Sequence, residues 1–517
     1  MRNVAGFATG SLLAAVASAQ VVKWDIERRG VAAPRLSRRA DGSVEEVITN
    51  EKMRGGYFAS CSVGTPPQKI TLQLDTGSSD IWVPETGASV CAPRGQGCTF
   101  GSYSVNDSST GLLVDENFQI AYVDGSFSRG AYIAETFGIG DVELSNMTMG
   151  LGLQTDIAYG LVGVGYAINE ASVNSPDPEV YPNLPVVMRD EGHIKTNAYS
   201  LWLNDLGAST GNILFGGIDT DKYMGDLIRI DVQEDPQTNR ISSFIVELTS
   251  LIAHSSSGED ALAASSAVPV VLDSGTTFSY LPQGLAQQVW QEVSAEYYLL
   301  GQDGGGAPLV PCALANNNGY FEFGFGGEGG PAIQVGMDEL VLPIATETIN
   351  FPAGSGQYAG MAACQFGIQN FSGNHFLLGD TFLRSAYVVY DLENNQIAIA
   401  PTDFNATTSN IVAFPSQKAA IPSSTPAPNQ NSRSTGFSDS TPSFSAQKGF
   451  QDFSGKGNSG GNSGGNRGGN GGSNNGADDG GDGNAGSVLP ALDLTKMAVM
   501  GASMGLMMFG GGMFLLF

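Results

Sequence analysis

Two short stretches of this chain, Asp75-Thr76-Gly77-Ser78 and Asp273-Ser274-Gly275-Thr276, repeat one pattern: an acid, a hydroxyl residue, a glycine and a second hydroxyl residue. Each follows an apolar run, Ile70, Leu72 and Leu74 before the first and Val270, Val271 and Leu272 before the second. Two carboxylates held within hydrogen-bond reach cannot both ionise cheaply, so one proton is shared between them. The ionised member can then take a proton from water while the protonated member donates to a carbonyl oxygen. Asp75 and Asp273 are therefore the candidate catalytic pair, and the reaction on offer is hydrolysis of an amide by an activated water. Gly77 and Gly275 allow the backbone to approach and donate to each carboxylate. Ser78 and Thr276 stand where a hydroxyl can hold the outer carboxylate oxygen.

Such a pair must be delivered by two similar scaffolds. Downstream of the first acid lies Leu161-Val162-Gly163, and downstream of the second Leu377-Leu378-Gly379. A glycine in a strand marks close passage of another backbone, so each apolar-apolar-Gly strand is expected to thread past its acid loop and pin it. Between 56 and 402 the pattern is of short alternating strands broken by Gly, Asn, Asp and Ser, among them Tyr57–Val63, Lys69–Leu74, Asn212–Phe215, Ile228–Val232, Phe244–Leu248 and Ala386–Tyr390. One helix is expected, from Gly284 to Tyr297. The expected architecture is mainly β and bilobal, with lobes at 56–218 and 219–402, a junction near Gly216-Gly217-Ile218-Asp219 and a central cleft.

These residues resemble the pepsin-type aspartic peptidases, and the likeness covers about 56–402. Supporting matches are Gly64-Thr65-Pro66-Pro67-Gln68, Ile81-Trp82-Val83-Pro84 and Leu378-Gly379-Asp380-Thr381-Phe382-Leu383-Arg384. The resemblance implies an active-site flap at Tyr122-Val123-Asp124-Gly125-Ser126, with Tyr122 closing over bound peptide, Trp82 supporting it and Gly125 freeing backbone donors for the substrate. Asp124 could pair with a Lys or Arg just before the cut; its ordinary alternative is a solvated turn residue. The chain departs from the family in its second loop, Asp-Ser-Gly, and at Val123, where Gly or Ser is usual. The implied partners are peptide or protein substrates, met by a monomer with no cofactor.

The layout around this region is equally specific. Residues 1–19 carry Arg2, an apolar run and Ala17-Ser18-Ala19, the pattern of a secretory signal. Residues 20–39 hold the dibasic pairs Arg28-Arg29 and Arg38-Arg39 and read as a propeptide released after Arg39, its positive charge able to lie over an acidic cleft. Residues 405–484 are rich in Ser, Thr, Pro, Gly and Asn and read as a disordered stalk. Residues 485–517 close on an uncharged apolar tail, the order of a removable glycosylphosphatidylinositol (GPI) signal with attachment at Asn484; a transmembrane helix is the alternative. Asn106, Asn146, Asn370 and Asn405 head glycosylation sequons. Signal, dibasic propeptide, stalk and lipid tail together resemble the fungal yapsin branch, destined for the plasma membrane or cell wall.

Composition narrows the rest. A net charge of -27 repels phosphate and argues against nucleic acid. Of five cysteines, Cys91 with Cys98 and Cys312 with Cys364 can pair locally, leaving Cys61 as a buried thiol on an alternating strand. The three histidines show no metal-ligand spacing. The run Gly324–Gly329 matches a dinucleotide-binding glycine pattern, but Gly330-Pro331 cannot open the helix that pattern needs. No G-x-S-x-G elbow supports a serine hydrolase, and His375 reads as structural. Asp80 reads as a surface or supporting acid. The rival reading, a catalytically inactive surface-anchored protein on the same scaffold, requires a broken acid pair, and both acids and both hydroxyl partners are intact.

Overall fold

The structure, a computed structural model, describes residues 21–29, most of 56–430, and 442–453. Strands dominate. The first labelled are β1 (Val22–Arg29), β2 (Gly56–Val63), β3 (Gln68–Asp75), β4 (Ile81–Pro84), β5 (Leu112–Ala121), β6 (Phe127–Ile139), β7 (Val142–Thr155) and β8 (Gly160–Gly163). They form one side of a large sheet, in the order β1-β2-β3-β8-β4-β7-β6-β5. The same sheet continues from β1 through Thr210–Phe215, Ala198–Trp202, Ala386–Asp391, Gln396–Pro401 and Leu227–Asp231. A second sheet, built around Ile245–Ser255, Val268–Leu272, Tyr320–Phe325 and Phe376–Leu378, carries the second acid loop. The boundary expected at 218/219 therefore divides the chain but not the sheets: 386–401 return to pair beside 198–215.

β1 places part of the segment read as a propeptide, 20–39, inside the sheet. Val22, Trp24 and Ile26 alternate inward and are buried, while Lys23, Asp25 and Glu27 face out. The strand pairs with Thr210–Phe215 on one side and β2 on the other. Period-two burial of three large apolar side chains outweighs the strip's charge. Arg28 lies in the field of Arg384, Tyr57 and Asp380. Arg39 lies outside the described residues, as do the signal segment, Asn484 and the apolar tail.

The expected helix is shorter than its pattern. It spans Gln283–Glu292; Ser294 then takes φ +52° and the chain resumes as the strand Glu296–Leu300. The expected stalk also begins later than 405. Ile411–Ala413 pairs with Gly217–Asp219, and Ser424–Pro426 adds a parallel strand beside Leu227–Asp231. Phe414, Ile421 and Ala427 are buried, so scattered apolar residues in a polar stretch suffice to wrap it round the body. Residues 454–484 of the expected stalk lie outside the described residues.

Disulfides join Cys91 to Cys98 and Cys312 to Cys364, and Cys61 is buried and unpaired with another cysteine. Asn106, Asn146 and Asn405 are exposed, and Asn370 is half-buried in the strand Ile368–Phe371.

Candidate active site

Each acid sits where a strand ends. Asp75 closes β3, and β8 runs parallel beside it with Asp75 opposite Gly163. Asp273 follows Val268–Leu272, and Phe376–Leu378 runs parallel beside that strand. A Cβ on Gly163 would lie 2.5 Å from the Ser79 amide nitrogen, and one on Gly379 would strike the Thr276 carbonyl. Only glycine lets the two chains pass so closely.

The two turns then lock across the interface. Thr76 Oγ1 donates to the Leu272 carbonyl at 2.9 Å and accepts from the Ser274 amide at 2.9 Å. Ser274 Oγ donates to the Leu74 carbonyl at 3.1 Å and accepts from the Thr76 amide at 3.2 Å. Gln73 Nε2 adds a bond to the Gly275 carbonyl at 3.2 Å. Buried and reciprocal, these bonds fix the hydroxyl residue of each motif to the opposite strand.

What remains free to point into the cleft is the carboxyl. Asp75 Oδ1 accepts the Gly77 amide at 2.8 Å and Oδ2 accepts the Ser78 hydroxyl. Asp273 Oδ1 accepts the Gly275 amide at 2.8 Å and Oδ2 accepts the Thr276 hydroxyl at 2.7 Å. The two carboxyls lie side by side: a Cβ on Gly275 would fall against Asp75 Oδ1 and 3.1 Å from Asp273 Oδ1. Burial raises both above the usual carboxylate range. The Asp75 charge facing Asp273 adds to this, so the two carboxyls share one proton and titrate as a pair.

The flap stands over this pair. β5 and β6 form an antiparallel hairpin with Ala121 opposite Phe127. Gly125, at φ +83°, turns the chain and its amide donates to the Tyr122 carbonyl at 2.9 Å. Trp82 Nε1 donates to Tyr122 Oη at 2.7 Å, joining the flap to β4. Tyr122 and Trp82 belong to a packed wall with Phe118, Ile120, Leu161 and Tyr181. Val123 and Asp124 lie outside the described residues.

The sequence reading missed part of this wall. Asp80 is not at the surface: it is buried, accepting the Tyr181 hydroxyl at 2.7 Å and the Ala171 amide at 2.8 Å. Burial pushes its carboxyl up to about 6. Glu170, also buried, accepts the Tyr181 amide at 2.9 Å, and burial pushes it up to about 9. The signal available was Asp80 within five residues of a buried acid, directly before a strand with no polar face. Glu170 had none, since the loop that carries it reads as polar. His375 is structural, its Nε2 lying 2.9 Å from Asp235 Oδ2. Among the described residues no cluster of His, Cys, Asp or Glu is arranged to hold a metal.

Residues 56–402 match the family model described as eukaryotic aspartyl protease. A probable aspartic-type endopeptidase of Arthroderma benhamiae is 40% identical over 437 residues, covering 81% of this chain and 85% of that one. Secreted aspartic protease 3 of Candida albicans is 36% identical over 371 residues, covering 71% of this chain and 84% of that one. The crystal structure of an aspartic proteinase from Irpex lacteus superposes with a TM-score of 0.52 at 19% identity, covering 69% of this chain and 96% of that one. That likeness identifies the mainly β, pepsin-like fold.

Proposed function

The chain belongs to the eukaryotic aspartyl protease family and is an aspartic-type endopeptidase, and we propose that Asp75 and Asp273 carry its reaction. The observation that supports this most directly is the adjacency of two buried carboxyls, each aimed by a glycine amide and a hydroxyl. Asp75 takes a proton from a water as its oxygen attacks the scissile carbonyl carbon, and Asp273 gives its proton to the carbonyl oxygen. The resulting tetrahedral diol collapses when the proton on Asp75 passes to the amide nitrogen, expelling the amine and returning a proton to Asp273. Sharing of one proton by such a pair is established for this family in general. Cleavage of a denatured protein at mildly acidic pH, blocked by a statine-type inhibitor, tests the assignment. Asp75→Asn should abolish it, and full activity in that variant would reject the pair.

Selectivity for a basic residue before the cut is assigned to Asp124, whose sequence position two residues after Tyr122 supports the reading. Asp124→Thr should lower cleavage after Lys and Arg while sparing other sites; an equal loss everywhere would defeat it. The amino-terminal apolar pattern and the similarity to a protein named as secreted support export through the secretory pathway. The order of small residues, spacer and apolar tail supports a GPI anchor at or near Asn484, testable by release with phosphatidylinositol phospholipase. β1 ends at Arg29 opposite Gly56, where β2 begins, and Gly56 lies against Gln73, two residues before Asp75. That placement supports cleavage after Arg39 as an activating step. Arg38-Arg39→Ala-Ala should leave a longer, less active species.

A further inference from the structure

Far past the end of the family-matched region, residues 442–453 return to the second lobe and fill a groove there. The segment is polar in sequence, yet Ala446 and Phe450 are fully buried in the main core. Phe450 stacks on Phe321 with centroids 5.5 Å apart and planes 10° apart. Any side chain on Gly319 would occupy the space of the Phe450 ring. The groove therefore has an aromatic floor and a missing side chain that fit one ring.

Its rim is built to read a peptide backbone. Asn317, itself buried, donates from Nδ2 to the carbonyls of Gly449 at 2.9 Å and Asp452 at 2.7 Å. Ser255 Oγ donates to the Ala446 carbonyl at 2.6 Å, and Ser257 Oγ donates to the Ser445 carbonyl at 2.6 Å while accepting the Gly449 amide at 2.9 Å. Buried Asp260 accepts the Ser443 hydroxyl at 2.6 Å, the Ser445 hydroxyl at 3.0 Å and the Ala446 amide at 2.7 Å. Gln447 and Gln451 donate from Nε2 to the Gln291 carbonyl and to Ser294 Oγ, each at 2.8 Å, and so cover the end of the helix Gln283–Glu292. A Cβ on Gly449 would collide with Ser255 Oγ, so the occupant needs glycine there. Ring, glycine and serines are thus each recognised by a different part of the groove.

We propose that this groove is a peptide-docking site whose occupant is the chain's own 442–453 segment, and that it acts as the latch by which all sequence beyond 453 is held to the catalytic body. The site is separate from the substrate cleft, and the proposal does not depend on which residues catalyse. A latch of this kind holds through side-chain and backbone contacts, so it survives loss of the covalent link through 431–441. It also fixes the point from which the remaining chain departs: the second lobe, beside the end of the helix Gln283–Glu292.

The test uses the full chain with a foreign protease site placed within 432–440. After cutting, the carboxy-terminal fragment should stay with the body through size-exclusion chromatography. An excess of synthetic peptide spanning 441–453 should displace it. Phe450→Ala should weaken retention by about a hundredfold, roughly 2.8 kcal/mol at about 1.4 kcal/mol per tenfold, the low end for truncating a buried Phe. Cleavage of a short peptide substrate should be unchanged by either manipulation. Separation of the cut fragment from the unsubstituted protein, or failure of the peptide to compete, would overturn the proposal.

Discussion

Glu170→Gln is expected to stabilise the protein at neutral pH and to leave it almost unchanged in acid. Glu170 is fully buried, its Oε2 accepts the Tyr181 amide, and its Oε1 has no hydrogen-bond partner. Burial, with the Asp80 charge adding to it, pushes the carboxyl up to about 9. In the unfolded chain a glutamate titrates near ~4.3. Below that value both states hold the proton and nothing is lost. As pH rises, the unfolded chain releases its proton while the native chain keeps it, and stability falls by about 1.4 kcal/mol per pH unit until the folded value is passed. Between about pH 4.3 and 7 the loss is on the order of 4 kcal/mol. Glutamine keeps an acceptor for the Tyr181 amide and has no proton to lose. The variant should therefore gain on the order of 4 kcal/mol at pH 7 and match the parent within about 1 kcal/mol at pH 4. Urea unfolding followed by tryptophan fluorescence measures both values, with each protein carrying Asp75→Asn so that self-digestion does not intervene. Equal midpoints at pH 7, or a gain as large at pH 4, would refute the reasoning.

Three further outcomes are expected. Thr276→Ala removes the hydroxyl that holds Asp273 Oδ2 at 2.7 Å; Asp273 becomes charged as it gives up its proton, and a hydrogen bond to a charged group is worth about 1.5–3 kcal/mol, so kcat should fall about 10- to 100-fold with KM little changed in steady-state assays. Gly379→Ala places a methyl on the Thr276 and Phe278 carbonyls, and backbone on both sides prevents relaxation, so the yield of folded, inhibitor-binding protein should collapse. Replacing Cys312 and Cys364 together by Ser opens a link across 52 residues and should cost about 2–4 kcal/mol of stability, read from the denaturation midpoint with activity in native buffer retained.

The acid pair was legible because its chemistry is local: each carboxyl is held by donors two and three residues along the same turn. The threading strands were legible for a similar reason, since a glycine after two apolar residues records a close approach wherever the partner lies. The tail was not. Phe450 and Ala446 are two apolar positions among serines, glutamines and glycines, and nothing nearby states that Phe321, Gly319 and Asn317 form their receptor. The strand β1 within 20–39 went unread because charge was weighed before alternation. Lys23, Asp25 and Glu27 mark the solvent face of a strand whose other face, Val22, Trp24 and Ile26, is core.

Asp80 connects the two ways in which this protein depends on acid. A turn that shares a proton between Asp75 and Asp273 needs dry walls, because water would stabilise both charges separately. Here the wall on the flap side is the aromatic and aliphatic cluster of Trp82, Phe118, Ile120, Leu161 and Tyr181. β4 leaves the catalytic turn directly into that cluster, so Asp80, at its entrance, is carried inside with it. Its two donors, Tyr181 and the Ala171 amide, come from the segment that Glu170 pins through the Tyr181 amide. The same burial that raises the catalytic pair thus raises Asp80 and Glu170 behind it. Dryness at the site cannot be had for the pair alone. Ionisation of Asp80 as pH rises through about 6 should loosen the support of Tyr122, so a pH profile of kcat/KM on a short peptide is expected to fall toward neutral pH, and an unchanged profile in Asp80→Asn would refute the link.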